Sequence, residues 1–159
     1  MKKILIGSLL ISILFTACAS KTNNTFDLNK LELIKKEEKD KLTDKELMNN
    51  TNYYTFSNLT CSKIDSNILR KSYSKKIAEL KEIDEEDVNE TDLKKFFVNG
   101  IIENGLFGDK NYQKKFLTNS EFKANLLIGI YNNKLAFRIG NYNNLFFFEN
   151  EKDCLDFIN

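Results

Sequence analysis

A chain of 159 residues carrying 24 Lys and Arg against 23 Asp and Glu has a formal net charge of +1, which gives no electrostatic reason to expect nucleic acid as a partner. It contains no His, no Pro and no Trp. The missing imidazole removes the commonest general base and the commonest zinc ligand, and with them Ser/His and Cys/His nucleophile pairs, so enzyme readings lose ground and neither metal nor cofactor is expected.

Lys2 and Lys3 precede an apolar run from Ile4 to Phe15, which ends in Thr16, Ala17 and Cys18. A charged start, an apolar middle and a small-residue cleavage site are the parts of a secretory signal. The run falls short of the roughly 20 residues that span a bilayer.

The segment Leu14, Phe15, Thr16, Ala17, Cys18 resembles the lipobox of bacterial lipoproteins, with Phe15 where that family most often has Leu. The resemblance covers the signal alone. It implies that Cys18 takes a thioether-linked diacylglycerol, that the chain is cut before it, and that the new amino group is acylated. Two or more acyl chains suffice for stable anchoring. Ala19 is not the Asp that favours inner-membrane retention in enterobacterial lipoproteins, so the resemblance implies a cell-envelope location at the outer membrane. The expected organisation is a signal peptide at 1–17, a lipidated tether at 18–26 and a single α+β domain at 27–159.

A first helix is expected from Asp27 as N-cap, with Phe26 and Leu31 as a hydrophobic staple and Leu28, Leu31 and Ile34 as a narrow apolar stripe. The wholly charged run Lys35 to Lys41 leaves that helix half solvated. Thr43 and Glu46 form a capping box for a further turn carrying Leu47 and Met48. Tyr53 to Thr60 is β-prone, with Tyr54 and Phe56 on one face.

From Ser66 a helix follows, because Leu69, Tyr73, Ile77 and Leu80 recur on one side at helical spacing. Between 82 and 92 stand Glu82, Asp84, Glu85, Glu86, Asp87, Glu90 and Asp92 with no basic residue among them. The sixth-position Gly and alternating ligands of a calcium loop are absent, so macrodipole matching before the next helix explains the run better. Thr91 is expected to cap a third helix carrying Leu93, Phe96, Phe97 and Ile101, with Gly105 just past its end. A further short helix is placed between Phe107 and Leu117.

Farther on, Phe122, Ala124, Leu126, Ile128 and Ile130 alternate with other residues, and after Asn132 and Asn133 so do Leu135, Phe137 and Ile139. Asn tolerates the positive φ that a two-residue type I′ turn demands. That turn sets Ile130 opposite Leu135, Ile128 opposite Phe137 and Leu126 opposite Ile139, with both apolar sets on one face. A second turn at 140–144 leads to Leu145, Phe146, Phe147 and Phe148, and Asn150 caps a last helix with Leu155 and Ile158. If the second turn keeps the parity of the first, Phe146 and Phe148 join the core face. Leu145 and Phe147 then lie on the opposite face, which a helix covers beside a Tyr53 to Ser57 strand, or which receives a protein partner; these two are the candidate interface residues.

Once Cys18 is lipidated, Cys61 and Cys154 remain, either as a disulfide of an exported protein or as two separate buried thiols. The expected fold is α+β: N-terminal helices followed by an antiparallel three-stranded meander and a short C-terminal helix, with the Leu69 and Leu93 helices over the sheet. The function expected is that of an envelope-anchored lipoprotein, non-catalytic, acting as a protein-binding or structural component. An anchored inhibitor or immunity-type protein is the second reading, and an enzyme using carboxylates alone, which needs a cleft with a shifted Asp or Glu pKa, the third.

Overall fold

The computed structural model describes residues 30–56, 60–102, 117, 121–139 and 145–159. In chain order these form β1 (Glu32–Leu33), α1 (Lys36–Lys39), α2 (Asp44–Asn49), β2 (Tyr53–Phe56), β3 (Thr60–Lys63) and α3 (Ser66–Lys81). A 3-10 turn (Glu85–Asp87) then leads to α4 (Glu90–Ile102), α5 (Glu121–Ala124), β4 (Leu126–Tyr131), β5 (Lys134–Ile139), β6 (Leu145–Phe148) and α6 (Glu151–Ile158).

The class is α+β, but the three-stranded meander is corrected: among the described residues the sheet has six strands, ordered β1-β4-β5-β6-β2-β3. Every neighbouring pair is antiparallel. β4, β5 and β6 lie side by side in its middle; β1 extends one side, and β2 with β3 extends the other. β2 is the strand expected at Tyr53 to Ser57, and it pairs beside β6 as that reading required; β1 and β3, of two and four residues, are too short for alternation to stand out from the surrounding polar sequence.

β1 replaces part of the helix expected from Asp27. Glu32 and Leu33 pair with Ile130 and Gly129, and the Ile34 N–H donates to the Ile128 carbonyl at 3.0 Å. Leu31 packs with one core cluster and Ile34 against the other, as residues an odd number apart do on a strand. On a helix their spacing of three would have aimed both at the same face. Gly129 allows the approach, since a Cβ there would lie 2.6 Å from the Glu32 carbonyl oxygen and 2.7 Å from Leu31 Cγ. Phe26, Asp27 and Leu28 lie outside the described residues.

The β4–β5 hairpin has the register that its turn predicts, with Leu126 opposite Ile139, Ile128 opposite Phe137 and Ile130 opposite Leu135. Asn132 and Asn133 take φ of 48° and 61°. The next connection departs from expectation. Phe137 stands opposite Phe147 and Arg138 opposite Phe146, so the strands are joined across an odd number of residues and β6 is turned over. Leu145 and Phe147 therefore join Phe137, Ile139, Leu126 and Ile128 in the main core, and Phe146 and Phe148 point to the other face.

α2, α3 and α4 supply Leu47, Met48, Leu69, Ile77, Leu80, Leu93 and Phe96 to that main core. α6 closes the second face, placing Cys154 and Phe157 with Leu31, Ala136, Phe146 and Phe148. β6 is buried along its whole length. Local signals begin the helices: Thr43 and Glu46 make the reciprocal capping box of α2, and the Asp65 side chain accepts from Asn67 and Ile68 N–H at the start of α3. α4 is capped by Asn89 rather than Thr91, its Oδ1 accepting the Asp92 N–H at 2.9 Å. Gly105 and 107–116 lie outside the described residues.

Candidate functional site

Where α2 meets the start of α4, Lys45, Met48, Asn49, Asn52, Glu90, Thr91, Lys94 and Glu149 line a cleft of about 410 Å³. Its deepest cation is Lys94, whose side chain is only 6% exposed. The Nζ donates to Asn52 Oδ1 at 2.7 Å and to the Met48 carbonyl at 3.3 Å, and lies 3.0 Å from Glu90 Oε1. An ammonium has three protons, and here each has an acceptor.

Asn52 is fixed from every side. Its N–H donates to the Phe148 carbonyl, and its own carbonyl accepts from Ile64 N–H at 2.8 Å. Its Nδ2 donates to the carbonyls of Asn49 at 2.7 Å and Glu149 at 3.1 Å. Two carbonyls at one end of the amide and an ammonium at the other leave one sensible orientation of the group. Glu90 also accepts from Ser66 Oγ at 2.9 Å. Its hydrogen bond from Lys94, then that from Ser66, hold its pKa below the ordinary carboxylate value, so at neutral pH it rests as the carboxylate, able to accept a proton.

No protein-family model, curated protein or solved structure matches this chain. What the cleft can do therefore rests on its own chemistry. The described carboxylates with displaced pKa values are Glu46, Glu90 and Asp153, all displaced downward. A carboxyl group that rests protonated as a general acid needs the opposite displacement.

The acidic run is dispersed among separate partners. Glu85 accepts from Ser74, Glu90 pairs with Lys94, and Asp92 pairs with Lys81 at 2.6 Å. Among the described residues no group of three His, Cys, Asp or Glu is placed to hold a metal ion.

Of the residues singled out in the sequence, Cys18 lies outside the described residues. Cys61 and Cys154 are joined as a disulfide, with Cα atoms 5.9 Å apart, tying the edge strand β3 to α6. Leu145 and Phe147, the candidate interface residues, lie inside the fold. They are 1% and 0% exposed, and Phe147 stacks on Phe137 with ring centroids 4.7 Å apart; the inverted parity of β6 sends them into the main core.

The buried lysines of α4 were not singled out by sequence reasoning. Beside Lys94, Lys95 is bonded to Asp44 at 2.7 Å and to the Leu117 carbonyl at 3.1 Å, with its Nζ 5.5 Å from the Phe122 ring centroid. α4 packs against both α3 and α2, so the helix face that charge would assign to solvent is covered. The one local sign was Glu90 four residues before Lys94, a common surface pair.

Proposed function

We propose that this chain is an envelope-anchored lipoprotein, non-catalytic, which serves as a protein-binding or structural component and is held at the outer membrane by lipid on Cys18. The observation that carries this reading is the partition of its cysteines. Of three in the chain, Cys61 and Cys154 are paired with each other, which leaves Cys18, the one that follows the lipobox-like segment. A disulfide across the domain suits an oxidising compartment outside the cytoplasm. Among the described residues no helix is long and apolar enough to cross a membrane, and acylation is a sufficient means of attachment.

The test is metabolic labelling with a fatty acid followed by detergent-phase partitioning. The wild type is expected to carry label and enter the detergent phase, and Cys18→Ser to do neither. A wild type that carries no label, or a mutant that still partitions as the wild type does, overturns the reading.

A further inference from the structure

Lys94, Asn52 and Glu90 place an amine, a carboxamide and a carboxylate within hydrogen-bonding reach of one another, with Lys94 nearly buried and Asn52 clamped. Lys94 Nζ is 2.7 Å from Asn52 Oδ1, and the electrophilic Cγ is one bond beyond that oxygen. Glu90 Oε1 is 3.0 Å from the same Nζ. We propose that Lys94 and Asn52 join in an intramolecular isopeptide bond, with Glu90 carrying the protons.

The step balances without any co-reactant. Glu90 takes one proton from the Lys94 ammonium, and the neutral amine attacks Asn52 Cγ to give a tetrahedral centre. The Cγ–Nδ2 bond then breaks, Nζ loses a second proton, and the leaving nitrogen departs with both protons as well as its own two, as ammonium. Glu90 ends as the carboxylate it began as, and the chain loses one positive charge.

Each partner is set for this. The Met48 carbonyl, accepting at 3.3 Å, holds the Lys94 nitrogen beside Asn52. The two carbonyls that bind Nδ2 keep the amide from turning away. Such fixed juxtaposition replaces a bimolecular encounter with an intramolecular one. The Lys94 nitrogen must give up its bonds to Glu90, Met48 and Asn52 to attack, which makes the reaction slow. One event in the life of each molecule is enough. The product joins α4 to the residue that precedes β2, and so the helical layer to the sheet, on a chain already crosslinked between β3 and α6 by its disulfide.

The experiment is peptide mapping of the full-length, reduced protein by tandem mass spectrometry after incubation at mildly alkaline pH. In the wild type, the expected result is a branched peptide uniting the Asn52 and Lys94 segments, lighter by one ammonia than their sum, with trypsin no longer cutting after Lys94. Lys94→Met and Glu90→Gln should each yield the Asn52 peptide unlinked. A wild type with complete cleavage after Lys94 and no branched peptide, or with Asn52 converted only to Asp, overturns the proposal. Full crosslinking in Glu90→Gln overturns the role given to Glu90.

Discussion

Asp153 shows how a single side chain in this fold sets two opposed influences against each other. Burial is the largest and pushes its pKa up, but hydrogen bonds from Asn132 and Asn150 and the nearby Lys134 ammonium together outweigh it, so the carboxyl titrates below its ordinary value. It joins the β4–β5 turn to the start of α6, accepting from Asn132 Nδ2 at 3.1 Å and Asn150 Nδ2 at 2.8 Å. A folded pKa below the unfolded one means that its contribution is present above the unfolded value and is lost as pH falls through the folded value. We expect Asp153→Asn to lower stability by about 1 to 2 kcal/mol at neutral pH and to flatten the acid limb of a plot of Tm against pH. A mutant curve parallel to the wild type throughout would refute this. Interactions confined to four residues, such as the Thr43 and Glu46 box, were legible in the sequence. The partners of Lys94 and Lys95 were not, because Asn52 and Asp44 are remote in sequence and reach α4 only through tertiary packing.

At the scale of the elements, what could be foreseen followed the length of each pattern. Twelve residues of strand around Asn132 and Asn133 fix their register through two agreeing signals, alternation and turn chemistry. β1 has two residues and no such support, and its apolar neighbours Leu31 and Ile34 carry a spacing that a helix also satisfies. β6 shows a third case: it was recognisable as a strand, but its four consecutive apolar residues gave no alternation by which to tell its faces apart. β1 is held at Gly129, where the two backbones meet. Gly129→Ala should force β1 away from β4, since a contact at 2.6 Å involves a carbonyl oxygen and not a movable side-chain tip. The expected result is a destabilisation of roughly 1 to 3 kcal/mol, as for other overpacking, with faster amide exchange at Ile34, whose N–H bonds to Ile128. Unchanged exchange at Ile34 would show that the approach has slack. At the other side of the sheet, the Cys61–Cys154 bridge spans 93 residues and stabilises by roughly 4 to 5 kcal/mol on the chain-entropy model.

For the molecule as a whole, the order β1-β4-β5-β6-β2-β3 makes the last strand in sequence an interior strand of the sheet. Tyr54 on β2 meets Phe147 on β6, residues from opposite ends of the described chain. Without β6, the β1-β4-β5 group and the β2-β3 hairpin share no strand pairing. A chain truncated after Asn144 should therefore fail to fold, which limited proteolysis would detect as loss of the resistant core; a truncated chain as resistant as the whole would count against this. The consequence reaches into the order of events during synthesis. A growing chain cannot unite its sheet until β6, far downstream of β2, has emerged, and pairings so distant in sequence close slowly. The topology itself thus keeps the two parts of the sheet apart until β6 has been made, and only then can the strands on either side of it be held in one layer.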